Sequence, residues 1–443
     1  MIEFSYLMKA FLKKILPKQL ISVYHLALAH LAALIYGRPS EKMVVIGLTG
    51  TKGKTTAANF IWSVLQAAGH KTGLLGTANV RIGEKEMLNE WHMTMPGRFK
   101  LQKLLRQMVN EGCTHVVMEV TSEGIIQHRH KGIDFDIAIF TNLYPEHLPS
   151  HGGSFENYKK AKGKLFECLN YCPRKIVGGE KIDKTIIANF DDEHKDYYLS
   201  FPADKKITYG LKEGANIHAA NIASDNTGVN FSIRDTRYTI HVLGEFNVYN
   251  ALPAIAVGSL LGATNEQIQS GLKSLPVIPG RMEIIENNKG FTVIVDYAHQ
   301  KESMYAALEA VQKMKPSPES KIIVNLGAEG GGRDPRKRPL MGEAVAKLAD
   351  YVICSNVDPY EDDPYPIAND IAAAAEAHGK VRDQNLWVIL DRREGIKKCL
   401  LLAKPGDIVL ITGKGAEQSI TIGGKVSPWD DRVVVREELN KLN

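Results

Sequence analysis

The glycine-rich segment GTKGKTT at residues 50–56 constrains the fold of this chain more than any other feature. An apolar run at residues 44–48 precedes it directly, and a helical pattern over residues 57–68 follows it. Strand, glycine-rich loop and helix in this order form a phosphate-binding loop, or P-loop. Its glycines let backbone N–H groups turn toward phosphate oxygens, while Lys54 supplies positive charge and the Thr55 hydroxyl can ligate magnesium. The alternative, a glycine turn that binds nothing, is disfavoured by the lysine, the hydroxyl and the flanking elements.

The other apolar runs alternate with amphipathic stretches, which is typical of parallel sheets covered by helices. A first set of strands is predicted at residues 43–48, 114–120 and 135–141. Residues 206–243 then alternate between polar and β-branched side chains, which predicts hairpins around Asn226-Thr227-Gly228. A second set of strands is predicted at residues 291–296, 321–326, 351–355, 386–390 and 407–411.

A segment rich in proline and glycine at residues 275–280 separates the two sets of strands and has the composition of a hinge. We therefore predict an α/β fold in three parts. They are an N-terminal helical segment (1–40), a central P-loop parallel-sheet domain (41–277) and a C-terminal Rossmann-like α/β domain (278–443).

Chain length agrees with more than one domain, because 443 residues exceed what one hydrophobic core usually serves. The formal net charge is only +5 and there is no long basic run, so nucleic-acid binding is not expected. Five scattered cysteines without a C-x-x-C pair argue against a disulfide framework or structural zinc. We expect a monomeric, cytoplasmic protein whose partners are small anionic substrates.

The first forty residues raise the question of a membrane. Four lysines precede an apolar stretch from Leu20 to Tyr36, which His25 and His30 interrupt. The stretch is short for a spanning helix, and no small-residue cleavage site of a signal peptide follows it. Two interpretations stay open: a helix packed on the following domain, or an anchor on the membrane surface.

Glu119 is a further candidate magnesium ligand, whereas the patterns around His147 and Lys162 leave the roles of these two residues open. Glu119 ends a predicted strand and His147 follows the next one, so both are expected at the carboxyl edge of the sheet, where α/β proteins bind ligands. A lone histidine is nevertheless more often structural. Residues 155–166 predict a basic helix, and spacing alone does not distinguish Lys162 from the neighbouring lysines of a solvated face.

Nine ordered blocks of this sequence resemble the Mur ligase family, the ATP-dependent amino-acid ligases that build the peptide stem of bacterial peptidoglycan. The resemblance runs from about Val44 to Val435. The blocks are GTKGKTT, MEVTSEGIIQHR (118–129), TNLYPEHL (141–148), AKGKLF (161–166), GEFNVYNA (244–251), GRME (280–283), DYAH (296–299), GGRDPRKRPLMG (331–342) and GKGAE (413–417). Their number and order argue strongly against chance.

The resemblance implies which residues meet each substrate. The implied ATP contacts are Gly50, Thr51, Lys52, Gly53, Lys54, Thr55, Thr56, Asn250, Arg281, Asp296 and His299. Two magnesium ions are expected on Thr55, Glu119, His147 and Lys162, the last carbamylated by carbon dioxide and so converted from a cation into a carboxylate. The acceptor is expected on Thr94, Thr121 and Arg129, and the incoming amino acid on Arg333, Asp358, Tyr360, Gly413 and Glu417. Lys54, Lys162 and His147 are the implied catalytic residues.

The resemblance also implies a reaction in peptidoglycan precursor synthesis. Phosphoryl transfer from ATP would convert the carboxylate of UDP-N-acetylmuramoyl-L-alanyl-D-glutamate into an acyl phosphate, and the amine of a third amino acid would then displace phosphate. Two magnesium ions and Lys54 would offset the charge crowded between the anions. Closure of the C-terminal domain would exclude water from the intermediate.

Departures from the family pattern concern the substrates. About forty residues precede the P-loop strand, where the family normally carries a uridine-binding domain, so the carrier of the acceptor peptide stays open. Members that add meso-diaminopimelate read DNPR where this chain reads VDPY at residues 357–360, and Tyr360 replaces the arginine that would grip the distal carboxylate. Glu417 remains for a side-chain ammonium, which favours lysine or another diamino acid. Glu146 replaces the usual aspartate before His147.

Other interpretations stay open at this point. A related ligase could act on a lipid-linked muropeptide or on a folylpolyglutamate-type acceptor, although GRME, DYAH and GRDPRKRP favour the cell-wall branch. A P-loop switch or motor would hydrolyse ATP without an amine, and a non-enzymatic subunit of a wall-assembly complex would not turn over at all. Phosphate release that depends on an amino acid separates a ligase from both.

Overall fold

The structure is a computed structural model that describes residues 18–442 except residues 84, 90, 92 and 147. The implied metal ligand His147 therefore lies outside the described residues, as do residues 1–17 of the N-terminal segment. The predicted α/β fold is confirmed for the rest of the chain.

In the part of the chain that the structure describes, the first half forms a nine-stranded sheet covered by helices. Its elements are α1 (Lys18–Ile35), β1 (Val44–Thr49), α2 (Lys54–Ala67), β2 (Thr72–Leu75), β3 (Asn79–Ile82), β4 (Lys85–Leu88), α3 (Arg98–Asn110), β5 (His115–Glu119), α4 (Ser122–Ile126), β6 (Ile137–Phe140), α5 (Phe155–Cys168), β7 (Ile176–Val177), β8 (Glu180–Lys181), β9 (Thr185–Asn189), α6 (Lys195–Leu199), β10 (Lys205–Gly210) and β11 (Ile217–His218). The strand order is β11-β10-β9-β6-β1-β5-β2-β3-β4, with β7 and β8 paired separately.

Strand β1 lies inside this sheet, between the parallel strands β5 and β6. Its side chains alternate between two hydrophobic clusters, with Ile46 and Leu48 in one and Val45 in the other. Because helices cover both faces, a continuous apolar run is needed at this position rather than an alternation with polar residues.

Next along the chain come β12 (Ala220–Asp225), β13 (Gly228–Ile233), β14 (Thr236–Ile240), α7 (Asn247–Leu260) and α8 (Asn265–Lys273). The three strands form an antiparallel sheet, which confirms the predicted hairpins around Asn226. The prediction was wrong for residues 205–210, since β10 pairs in parallel with β9 and extends the main sheet. Its half-exposed, polar start disguised it as part of a hairpin.

The second sheet follows with β15 (Glu283–Ile284), β16 (Thr292–Asp296), α9 (Lys301–Met314), β17 (Ile322–Leu326), α10 (Lys337–Leu348), β18 (Tyr351–Cys354), α11 (Pro364–Ala377), β19 (Leu386–Val388), α12 (Arg392–Leu402), β20 (Ile408–Thr412), β21 (Ser419–Ile422), β22 (Lys425–Pro428) and α13 (Asp431–Lys441). Strands β15 to β20 form its six members, in the order β15-β16-β20-β17-β18-β19. All five strands predicted in this part are confirmed.

Helix α1 packs on the first sheet's helical layer, beside α3. Its residues Ala29, Ala32 and Ala33 are buried, so one face of the helix packs on the following domain, as the first interpretation predicts; the interpretation as an anchor concerns the opposite face. Across residues 18–442, apart from the four gaps, every helix falls short of the length and apolarity that crossing a bilayer requires.

Candidate active site

The carboxyl ends of β1, β5 and β6 meet at one edge of the first sheet. Strand register places Leu48 beside Glu119 and Thr49 beside Phe140. The P-loop, the Glu119 carboxylate and the loop after β6 therefore open at the same edge, where parallel sheets bind ligands. They line a cleft of about 880 Å³ whose opposite wall comes from the second sheet and its loops.

Most of the residues that the sequence singled out line this cleft. They are Thr51, Lys52, Gly53, Lys54, Thr55, Thr56, Thr94, Glu119, Thr121, Asn250, Arg281, Asp296, His299 and Arg333. Two others, Gly50 and Lys162, adjoin its floor through hydrogen bonds with Lys54 or with each other. The remaining five do not line it. Arg129 contacts Met95 and Gln127, Tyr360 contacts Arg333, Asp358 and Glu417 both contact Lys414, and Gly413 directly follows β20.

The P-loop requires glycine at two positions. Gly50 and Gly53 have φ angles of 151° and 80°, which side-chain-bearing residues rarely adopt. A Cβ atom on Gly50 would lie 1.9 Å from Thr141 Oγ1, and one on Gly53 would lie 2.1 Å from Asn250 Oδ1. Gly53 also caps the start of α2, so the first N–H groups of that helix face an anion placed in the cleft.

Two lysines converge on one carbonyl of this loop. Lys54 Nζ donates to the carbonyl oxygens of Gly50 (2.9 Å) and Thr51 (3.1 Å), and Lys162 Nζ donates to the same Gly50 oxygen (2.7 Å). Burial lowers the pKa of Lys54, and burial together with the nearby Lys54 charge lowers the pKa of Lys162 well below its usual range. Two positive charges on these lysines are therefore unfavourable unless a negative charge is added nearby.

The interpretation of α5 as a solvated basic face is wrong for Lys162. That side chain is only 2% exposed, whereas Lys160 and Lys164 are exposed. Helical spacing explains the difference, because Lys162 lies four residues after the buried Tyr158, on the face that packs under the P-loop. Sequence spacing could not show this without knowing which face of α5 is covered.

Glu119 and Thr55 supply oxygen ligands of the kind magnesium prefers. The Glu119 carboxylate is buried and is oriented by Thr77, whose N–H and hydroxyl donate to it at 2.6 and 3.0 Å. Among the described residues, no cluster of three His, Cys, Asp or Glu side chains forms a metal site by itself. Magnesium usually binds one or two carboxylates plus substrate phosphates, so these residues fit an ion that arrives with a nucleotide.

The wall formed by the second sheet reaches the P-loop through Arg281. Its Nη2 atom lies 3.5 Å from Thr55 Oγ1, and its guanidinium lies 4.3 Å from the centre of the Tyr297 ring. Asp296 accepts hydrogen bonds from the N–H groups of Met282 and Ala298, both at 2.8 Å, and so shapes the loops around Arg281.

A buried ion-pair group lies behind this wall. Lys414 Nζ donates to Asp358 (2.5 Å) and Glu417 (2.8 Å), and Tyr297 donates to the other Glu417 oxygen at 3.3 Å. Burial lowers the pKa of Lys414, but the two carboxylates outweigh it and the pKa is raised, while burial raises the pKa of Asp358. Lys414 was not singled out from the sequence, although it lies within the GKGAE block. Its charge neutralises Asp358 internally.

Two of the candidate acceptor-binding residues, Thr94 and Thr121, line the cleft together with Glu119. Thr94 Oγ1 is 2.9 Å from Thr77 Oγ1, and Thr121 Oγ1 accepts from the Gly124 N–H at 3.1 Å to cap α4. Arg129 donates to the Met95 carbonyl oxygen and to Gln127 Oε1, the latter at 2.7 Å. The structure thus places Thr94 and Thr121 near the candidate metal ligand and Arg129 farther out.

Glu146 links the two walls, a role that sequence reasoning missed. Its carboxylate accepts from Lys52 Nζ of the P-loop at 3.1 Å and from Gln300 Nε2 at 3.0 Å, and His299 Nε2 lies 3.7 Å away. The sequence feature that could have indicated this role is the replacement, by Glu146, of the aspartate that usually precedes His147. One additional methylene lengthens the reach of the carboxylate toward the second sheet.

Replacing Glu146 by glutamine should lower kcat/KM for ATP about tenfold, because charge-assisted hydrogen bonds between the walls become neutral ones. Steady-state phosphate release measures the change, and the melting temperature reports any loss of folding. Glu213→Gln, at an exposed position, is the matched control. An unchanged kcat/KM in Glu146→Gln would show that the contact does not help ATP binding or closure.

The fold and the site together define a class: an ATP-binding α/β protein whose P-loop sheet faces a second α/β sheet across a cleft. Comparison with known domains agrees with this class. Residues 48–258 match the Mur ligase middle domain, and residues 280–415 match the Mur ligase glutamate ligase domain.

Whole-chain relatives identify the family. A UDP-N-acetylmuramoyl-L-alanyl-D-glutamate–2,6-diaminopimelate ligase of Geobacillus kaustophilus is 37% identical over 95% of this chain and 83% of its own length. A UDP-N-acetylmuramyl-tripeptide synthetase of a Roseiflexus species is 37% identical over 94% of this chain and 82% of its own. A solved diaminopimelate ligase superposes with a TM-score of 0.60 at 29% identity, covering 90% of this chain and 79% of that one. The chain belongs to the Mur ligase family and is an ATP- and magnesium-dependent carbon–nitrogen ligase.

Proposed function

We propose that this ligase adds the third amino acid, lysine or another diamino acid, to UDP-N-acetylmuramoyl-L-alanyl-D-glutamate through an acyl phosphate. The observation that carries the proposal is the cleft itself. Lys54 and Glu119 lie on one wall with Thr94 and Thr121 beside them, and Arg333 lies on the other. The names of the relatives support this acceptor and this position in the peptide.

The residues of this chain would act in sequence. The N–H groups at the start of α2 and Lys54 would bind the phosphates of ATP. Thr55 and Glu119, together with the phosphates, would hold magnesium, which would supply positive charge for transfer of the γ-phosphoryl group to the acceptor carboxylate. Arg281 and Glu146 would then hold the walls together, so that the amine attacks the acyl carbon and phosphate leaves without competition from water.

Carbamylated Lys162 forms part of the proposal. Its uncharged amine nitrogen, which burial favours, would attack the carbon of carbon dioxide, so that an N–C bond forms as one C–O π bond breaks and the nitrogen releases one proton. The resulting negative carbamate would then lie near the Lys54 ammonium. His147 is proposed as a further metal ligand from the family resemblance alone. We also propose domains at residues 41–277 and 278–443, since the loop at residues 275–280 joins elements of the two sheets. A monomeric state and a cytoplasmic location remain predictions.

Phosphate release tests the proposed reaction. The full chain is assayed with ATP, magnesium and UDP-N-acetylmuramoyl-L-alanyl-D-glutamate, with lysine, ornithine or diaminopimelate as the amine. Mass spectrometry then measures the masses of the products. Release with a diamino acid and the matching tripeptide mass would support the proposal. No phosphate release with any amine would contradict the proposal and would indicate a different acceptor, such as a lipid-linked one.

Tyr360 should decide the choice of amino acid. Its hydroxyl hydrogen-bonds to Arg333, so the residue lies where it can contact a side chain bound by that arginine. Tyr360→Arg should raise kcat/KM for diaminopimelate about tenfold relative to lysine, because arginine binds a distal carboxylate in bidentate fashion. Its φ of 56° strains tyrosine and arginine alike.

Tyr360→Phe is the control for this prediction, since it removes the hydroxyl without adding charge. Competition between lysine and diaminopimelate in one reaction measures the ratio directly. A ratio that stays the same in Tyr360→Arg would show that this residue does not read the amino-acid side chain.

A further inference from the structure

Helix α1 carries an exposed apolar stripe opposite the face that packs on the sheet's helical layer. The stripe consists of Leu20, Val23, Tyr24, Ala27, Leu31, Leu34 and Ile35, all exposed. At about 100° per residue these positions fall within an arc of about 120°, so they form one continuous surface. No Asp, Glu, Lys or Arg occurs between residues 20 and 35.

The stripe is held in place rather than left loose. On the buried side, a Cβ atom at Gly132 would lie 2.9 Å from the Ala33 Cβ, so small residues bring α1 close to the loop after α4. Ser22 Oγ lies 2.7 Å from His128 Nε2, and Arg106 donates to the Tyr36 carbonyl oxygen at 2.7 Å. Both ends of the helix are therefore fixed, and its other face remains uncovered within the described structure.

Charge in the adjoining segment indicates what covers the stripe. Residues 1–18 contain four lysines, at positions 9, 13, 14 and 18, against the single acid Glu3, and their other residues are mostly apolar. This segment leads directly into the start of α1. A basic and apolar segment beside an apolar stripe complements a surface that is anionic outside and apolar beneath, as a bilayer is.

We propose that α1 binds the surface of an anionic lipid membrane, with the stripe inserted at the level of the headgroups and with the lysines that precede the helix in the sequence favouring anionic lipid. A second copy of the chain is the weaker occupant, because the stripe and the segment before it offer only the single acid Glu3 to complement four lysines. The proposal goes beyond the proposed ligase reaction and does not depend on it.

Membrane docking would also orient the enzyme. His128, which contacts Ser22 of α1, directly precedes the acceptor candidate Arg129 in the chain. If Arg129 contacts the acceptor as the family resemblance implies, docking would hold that residue on the membrane-facing side of the protein; this orientation, unlike docking itself, rests on the proposed function.

Vesicle flotation with the full chain tests the proposal. We expect binding to vesicles of phosphatidylcholine mixed with phosphatidylglycerol, and binding at least about tenfold weaker to phosphatidylcholine alone. Val23→Asp/Leu34→Asp should weaken binding about tenfold or more. The control Val277→Asp/Leu401→Asp makes the same changes outside the stripe and should bind as the wild type does. Val277 and Leu401 are 67% and 60% exposed, close to the 62% and 57% of Val23 and Leu34.

A charge-reversal pair separates lipid attraction from a general charge effect. Lys9→Glu/Lys13→Glu/Lys14→Glu should lose binding to the anionic vesicles, whereas Lys85→Glu/Lys212→Glu/Lys273→Glu, which makes the same change at exposed positions elsewhere, should retain most of it. Melting temperatures establish that each variant is folded.

Several results would overturn the proposal. These are equal binding to both kinds of vesicle, a stripe variant that binds normally, or controls that lose as much as the variants. A dimer that only the stripe variant dissociates, without vesicle binding, would identify a second copy as the occupant. Stronger vesicle binding after deletion of residues 1–17 would show that this segment covers the stripe instead of helping it dock.

Discussion

Replacing Lys54 by alanine should reduce amino-acid-dependent phosphate release about a thousandfold. The reason is electrostatic. This half-buried ammonium lies at the floor of the cleft beside the P-loop, where the phosphates of ATP would gather negative charge during transfer. A preorganised positive charge in a partly dry site stabilises that transition state far more than it would in water. Single-turnover kinetics with saturating ATP separates loss of the chemical step from weaker nucleotide binding.

Two controls define the Lys54 result. Lys54→Arg retains charge but not shape and should remain well below wild type, since a guanidinium does not fit the space of an ammonium. Lys71→Ala, at an exposed position after α2, should leave the rate unchanged. If Lys54→Ala keeps its rate within about tenfold of wild type, Lys54 is not the phosphate-binding lysine.

Replacing Lys162 by methionine should reduce the rate on the order of a hundredfold, because a carboxylate formed on this lysine would orient or hold magnesium. Methionine fills the buried space under the P-loop without the nitrogen. Acetate or formate added at high concentration should restore part of the activity, since a small carboxylate can occupy the vacated position. Lys164→Met, two residues away on the exposed face, should behave as wild type.

A spectroscopic measurement tests carbamylation of Lys162 independently of the reaction rate. Wild-type protein equilibrated with ¹³C-labelled bicarbonate should show a carbamate carbon signal that Lys162→Met lacks. Removal of carbon dioxide should lower wild-type activity, and its return should restore it. The prediction would be contradicted if carboxylates did not restore the activity of Lys162→Met and the wild type showed no carbamate signal. Lys162 would then act as an unmodified lysine beneath the P-loop.

Much of the architecture followed from local sequence. The P-loop strand and helix were predicted because consecutive buried residues, a glycine loop and an amphipathic stretch each leave a local pattern. The five strands of the second sheet were equally regular. Strand β10 was misassigned because an edge-side strand with exposed, polar residues resembles a hairpin strand, and only its parallel pairing with β9 distinguishes the two.

The sequence by itself determined the strand, loop and helix of the P-loop, the two sets of strands and the strand-end position of Glu119, because these depend on residue order along single elements. Tertiary structure alone decided that Lys162 is buried beside Lys54, that Glu146 joins the two walls, and that Lys414 neutralises Asp358. Each of these facts depends on which face of one element meets another far along the chain. Such long-range contacts leave no mark on local spacing, so they became visible only when the chain was folded.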